Sequence, residues 1–133
     1  MRIFLDTNVL VAAFATRELC ADLFRLVLVE HRLLVTPIVL EELARVLRAK
    51  IGLPEERVAE ILDFLDPYKV DAAIPGDSPA FGLRDASDEK VVASAIAARA
   101  DLIVTGDRDV RDAELPLRAV TPRGLWELLR RRM

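Results

Sequence analysis

The sequence predicts an α/β fold built on a parallel sheet, and three observations carry that prediction. Short apolar runs, RIFL (2–5), LLV (33–35) and LIVT (102–105), alternate along the chain with longer stretches of helical periodicity. The runs are continuously apolar, the pattern of strands covered on both faces. Finally, Thr-Pro occurs twice, at 36–37 and 121–122, each time where a strand should hand over to a helix with Thr as N-cap and Pro in the first turn.

Taken in order, residues 2–5 form the first strand, and helices follow at 8–15 and 18–31, the second with Leu19, Leu23, Leu26 and Val27 on one face. Residues 33–35 make a second strand. The helix opened by Thr36 runs to about Lys50 and stops at Gly52. Pro54-Glu55-Glu56 opens a helix to about Leu65, with acids in its first turn. YKVD (68–71) reads as a third strand, and Pro75, Gly76, Pro79 and Gly82 mark a loop to about 86. Ser87 is placed as N-cap of a helix over 88–99, 102–105 is a strand, and GDRD (106–109) is a turn. RAV (118–120) is the last strand, and Thr121-Pro122 precedes a helix carrying Leu125, Leu128 and Leu129.

The length of 133 residues suits one domain over 1–133 with a sizeable core. A hydrophobic fraction of 53% with 31% charged residues is globular rather than disordered. No apolar run reaches the roughly 18 residues of a membrane span, and the start lacks the pattern of a signal peptide. Cys20 is the lone cysteine, which excludes an internal disulfide and suits a reducing cytosol. The expected location is cytoplasmic, with no membrane partner. A net charge of −3 does not advertise nucleic-acid binding, although 16 of the 19 basic residues are Arg.

The acids are the informative residues. Ligands of open α/β sheets bind beyond the carboxyl ends of the strands. Asp6 ends the first strand and Asp107 lies just past the strand 102–105, so the two open onto one edge. On the helix after Thr36, at 100° per residue, Glu41 points about 160° away from Leu43 and Glu42 about 100°. Glu42, at the border of the buried stripe, is the better candidate. Asp88 shares the face of Val92, but Glu89 also falls on the inner side, and the angle does not separate them. Each acid alone has an ordinary explanation as a cap, a turn residue or a solvated charge. Together they would repel one another and raise each other's pKa, which a divalent cation relieves. An all-oxygen set suits Mg²⁺ or Mn²⁺ rather than zinc. A metal held there can activate water and stabilise a phosphodiester displacement. His31 is the only histidine, which excludes cleavage by a histidine pair within one chain. There is no nucleotide-binding GxxxxGK[ST] loop and no nucleophile elbow.

The stretches FLDTNVLV, TPIVLEELARVL and DASDEKVVASAIAARADLIVTGDRDV together resemble the PIN-domain family, in particular its VapC-like toxin branch, over about residues 2–120. The resemblance implies an α/β/α sandwich around a central, mostly parallel sheet, and a metal-dependent ribonuclease. It assigns Asp6, Glu42, Asp88 and Asp107 as catalytic, metal-holding acids, with Asn8 and Thr105 as polar supports. Glu89 is the reserve for the third position, and Asp109 is an extra acid near the same edge. Arg84, Arg108 and Arg111 are candidates for holding the RNA backbone. The family also implies a homodimer and, for toxins, a cognate antitoxin. A catalytically silent RNA- or protein-binding module is the alternative, and a DNA nuclease or phosphatase ranks lower.

Overall fold

The computed structural model describes residues 1–15, 18–71 and 81–131. Among these residues four strands, β1 (Arg2–Leu5), β2 (Arg32–Leu34), β3 (Leu102–Val104) and β4 (Arg118–Val120), form one sheet in the order β2-β1-β3-β4. Every pair is parallel; Phe4 of β1 lies between Leu34 of β2 and Ile103 of β3. Ile3, Phe4 and Leu5 are successive residues and all fully buried. Since neighbours on a strand face opposite sides, both faces of the sheet are covered.

Among the described residues, seven helices do the covering: α1 (Thr7–Phe14), α2 (Glu18–Glu30), α3 (Pro37–Val46), α4 (Glu55–Leu65), α5 (Ala86–Ala97), α6 (Arg108–Asp112) and α7 (Pro122–Arg130). The faces expected from periodicity bury Leu23 and Val27 on α2, Val39, Leu43 and Leu47 along α3, and Leu125 and Leu129 on α7. After Val46, α3 widens into a π-type turn over Leu47–Ile51 and ends at Gly52, whose φ of 76° is the left-handed stop expected there. Thr121 caps α7 through its side chain, accepting from the Gly124 N–H at 2.9 Å.

Several expectations are corrected. Residues 68–71 do not make a strand: Asp66–Tyr68 is a 3₁₀ turn, and Lys69 meets Val35 in a single parallel bridge. Thr36 sits at the N-cap position but makes no capping bond. Its hydroxyl instead shares a buried 2.8 Å hydrogen bond with Ser94 of α5, tying α3 to α5. The cap of α5 is Asp85, not Ser87; its carboxylate accepts from the Ser87 N–H at 2.7 Å and starts the helix two residues earlier than the sequence reading placed it. GDRD is not a plain turn, because Asp107 caps the short helix α6. Most of the loop after Asp71 lies outside the described residues.

Arg2 fixes the far end of α5. Its guanidinium donates to the carbonyls of Ala98 at 2.7 Å and Arg99 at 3.0 Å, a cation on the negative end of the helix. Helix α5 is thereby registered against β1, with its N-terminal acids held at the opposite, carboxyl edge of the sheet.

Candidate metal centre

The strand order changes direction between β1 and β3, since β2 lies to one side of β1 while β3 and β4 lie to the other. The crevice outside such a switch point is where open α/β sheets bind ligands. Asp6 stands directly beyond β1 there, its N–H donating to Val104 O of β3 at 3.0 Å.

Asp6 occupies the N-cap position of α1 but makes no side-chain capping bond, so the ordinary explanation for this buried acid fails. Its Oδ2 accepts a 2.7 Å hydrogen bond from the Thr105 hydroxyl, which also accepts from the Asp107 N–H at 3.0 Å. One threonine thus connects the acid after β1 to the acid after β3. Burial pushes the Asp6 carboxyl above its ordinary range. Bonds from Thr105 and the Thr7 backbone pull against that rise, and the charges of Glu42 and Asp107 add to it. Next to it, the Thr7 hydroxyl is the one buried side-chain polar atom without a hydrogen bond among the described residues.

Asp88, in the first turn of α5, is driven from 3.8 to about 7. Burial is the largest cause, followed by a side-chain hydrogen bond to Asp107, then the charges of Asp107, Asp85 and Asp6. The acids around Asp88 therefore favour its protonated form, and a cation among them would relieve the same repulsion. Asp107 combines functions: its Oδ1 caps α6 by accepting from the Asp109 N–H at 2.9 Å, while its charge faces Asp88 and Asp6.

The helix angle does not separate Asp88 from Glu89, the resemblance favours Asp88 with Glu89 in reserve, and the two acids have different surroundings. Glu89 is committed elsewhere: both its oxygens accept backbone N–H bonds from Phe81 or Leu83, at 2.9–3.0 Å. Asp109 is likewise engaged, by the Arg84 N–H at 2.9 Å. Glu42 is half-buried on α3, with Glu41 beside it exposed, and it reaches the group through its charge on Asp6. Asn8 is exposed at the start of α1. Arg84 and Arg108 line a cleft of about 440 Å³ with Asp107, Asp109 and Asp112, whereas Arg111 is exposed and outside that lining. Asp85 was missed as a member of this neighbourhood; its signal was the Asp-x-Ser spacing of a helix cap.

Among the described residues, no three of the His, Cys, Asp and Glu side chains stand close enough together to hold a metal ion as they are placed. The donor chemistry nevertheless fits a hard divalent cation. Asp6, Asp88 and Asp107 are coupled by charge, Glu42 acts on Asp6, and two of the four are forced towards protonation.

A two-faced parallel sheet, with Asp6 and Asp107 linked through Thr105 at its switch point, defines the class: an α/β protein with acids at the carboxyl edge of its sheet. The family follows from comparison. The PIN-domain model matches residues 2–109, and the chain belongs to the PIN-domain family. Members of that family are in general nucleases that use divalent metals. Among solved structures, the fold is similar to a chain in the crystal structure of VapBC2 from Rickettsia felis bound to a DNA fragment from their promoter, with 20% identity and a TM-score of 0.63, covering 90% of this chain and 98% of that one. A sequence comparison with curated proteins finds no match.

Proposed function

We propose that this protein is a divalent-metal-dependent endoribonuclease, acting in the cytoplasm as the toxin of a type II toxin–antitoxin pair. The observation that carries the reading is buried Asp6 at the switch point, joined through the Thr105 hydroxyl to the N–H of Asp107, with the charges of Glu42 and Asp107 bearing on it. Mg²⁺ or Mn²⁺ would relieve the repulsion among these acids. Asp6, Glu42, Asp88 and Asp107 would hold the metal, which when bound supplies a water activated for attack on a phosphodiester. Thr105 keeps the acids after β1 and β3 at fixed separation, and Asn8 lies exposed nearby for the scissile strand. The fold likeness to a VapBC2 chain supports a small antitoxin partner. Half-exposed Phe64 and strongly exposed Val29 suit contact with such a partner or with a second copy of the chain.

The test is cleavage of a mixed single-stranded RNA by EDTA-stripped protein after adding Mg²⁺ or Mn²⁺, with Asp6→Asn alongside. Cleavage by the wild type and a loss of at least about 100-fold in the folded variant are expected. Full activity in Asp6→Asn would remove Asp6 from the site. Unchanged RNA under both metals, with measurable binding, would favour a silent binding module, and a panel of DNA and phosphomonoester substrates separates the remaining phosphoester reactions.

A further inference from the structure

The two acids set aside above, Glu89 and Asp109, share a task. Phe81 donates its N–H to both oxygens of Glu89 at 3.0 Å, and Leu83 donates to Oε1 at 2.9 Å. Between them Gly82 has a φ of 74°, a conformation that turns successive N–H groups towards one anion. The next N–H, that of Arg84, donates to Asp109 Oδ2 at 2.9 Å. Segment 81–84 is therefore held at both ends by carboxylates from the first turns of α5 and α6, the helices that position Asp88 and Asp107.

The consequence falls on Arg84. Arg84 lines the cleft with Asp107, and its side chain forms no ion pair among the described residues. The other charges of that cleft are engaged. Arg108 pairs with Asp112 at 3.5 Å, and Asp109 is bonded to the Arg84 backbone. Among the described residues Arg84 is thus a guanidinium without an ion-pair partner on a backbone held by its neighbours, and a guanidinium suits phosphate oxygens.

We propose that Glu89 and Asp109 are positioning residues that hold Arg84 beside the acidic site to grip a backbone phosphate of bound single-stranded RNA. The assignment rests on the ribonuclease reading. The acid adjacent to Asp88 in sequence then works through the backbone and touches no metal.

The experiment measures affinity for a fluorescein-labelled single-stranded RNA in EDTA by anisotropy, so metal loading does not enter. Arg84→Ala is expected to weaken binding roughly three- to tenfold and to reduce the salt slope by about 0.7, one phosphate contact. Glu89→Ala should weaken it to the same degree, while the double variant binds no worse than Arg84→Ala alone, because both changes remove one contact. Glu89→Gln keeps an oxygen acceptor at Oε1 and should restore wild-type affinity and metal-dependent cleavage. Amide exchange at Phe81 and Leu83 should quicken in Glu89→Ala and stay slow in Glu89→Gln. Wild-type affinity in folded Glu89→Ala, or additive losses in the double variant, overturns the positioning role while leaving the ribonuclease reading intact. Loss of metal binding in Glu89→Gln overturns it too, since Glu89 would then be a ligand. A wild-type protein that neither binds nor cleaves RNA overturns the ribonuclease reading, and the role of Arg84 with it.

Discussion

At the scale of single residues, the site is a set of charges whose mutual cost is measurable without any substrate. Asp88 has an ordinary pKa of 3.8, raised to about 7 in the folded protein. Between those values the folded state keeps a proton that the unfolded state has released, so stability falls as pH rises, and above about 7 the loss is complete. Metal-free protein should accordingly lose stability from this group as pH climbs from 4 towards 7, against the usual trend for ion-paired acids. Asp88→Asn removes the proton-linked penalty, and its amide can donate to Asp107 at any pH. We expect the variant to be more stable than wild type in EDTA at pH 7.5 by about 1 kcal/mol, discounted for the partly solvated carboxyl, with the gain vanishing near pH 4. Urea midpoints at both pH values check this; equal midpoints for the two proteins at pH 7.5 would mean that Asp88 carries no such load. The sequence made Asp6, Asp88 and Asp107 legible because each follows a strand or opens a helix at the carboxyl edge. It could not separate Glu89 from Asp88, since both lie on the inner side of α5. The difference is which atoms wait opposite, and for Glu89 they are the Phe81 and Leu83 amides of a loop whose path no periodicity encodes.

At the scale of elements, the stops were more legible than the starts. Glycine requires no partner to end a helix, so Gly52 could be read from composition alone, and the chain there has the positive φ that only glycine adopts without strain. No atom stands within 4 Å of where a Cβ at 52 would lie, so Gly52→Ala meets backbone strain and no clash. The expected cost is about 1 kcal/mol, a drop of roughly 3–6 °C in Tm for a chain of this size, with cleavage unaltered. A loss several times larger in a melting curve would point to packing against that turn. Starts depend on which of several polar residues wins the cap. Asp85 displaces Ser87 because a carboxylate at that place can accept the Ser87 N–H. Thr36 gives up its capping bond to Ser94, a partner 58 residues away that local sequence cannot reveal. The missing strand at 68–71 has a similar cause: the turn over Asp66–Tyr68 leaves one residue, Lys69, in register with Val35.

At the scale of the whole molecule, function depends on strand order, the feature the sequence specified least. Short, evenly apolar strands can pair in several orders, and the alternation of helices and strands fixes only that the pairing is parallel. The order β2-β1-β3-β4 puts β1 and β3 side by side, so that Thr105 and Asp6 meet across 99 residues of chain. The acids of separate helices are thereby brought to one crevice against their own repulsion, and a bound cation should stabilise the entire fold. If Mn²⁺ binds only the folded chain, a concentration of 100 times its Kd adds about 2.7 kcal/mol, on the order of 10 °C in Tm. Protons compete for Asp88, so the shift should shrink as pH falls from about 7, where that group begins to hold its proton. Asp6→Asn should abolish most of it, while Glu41→Gln, altering an exposed acid on the outer side of α3, should leave it whole. A thermal-shift series in EDTA, Mg²⁺ and Mn²⁺ at pH 5.5 and 7.5 reads all of these at once, with no RNA present. A shift of equal size in Asp6→Asn would place the cation elsewhere on the protein.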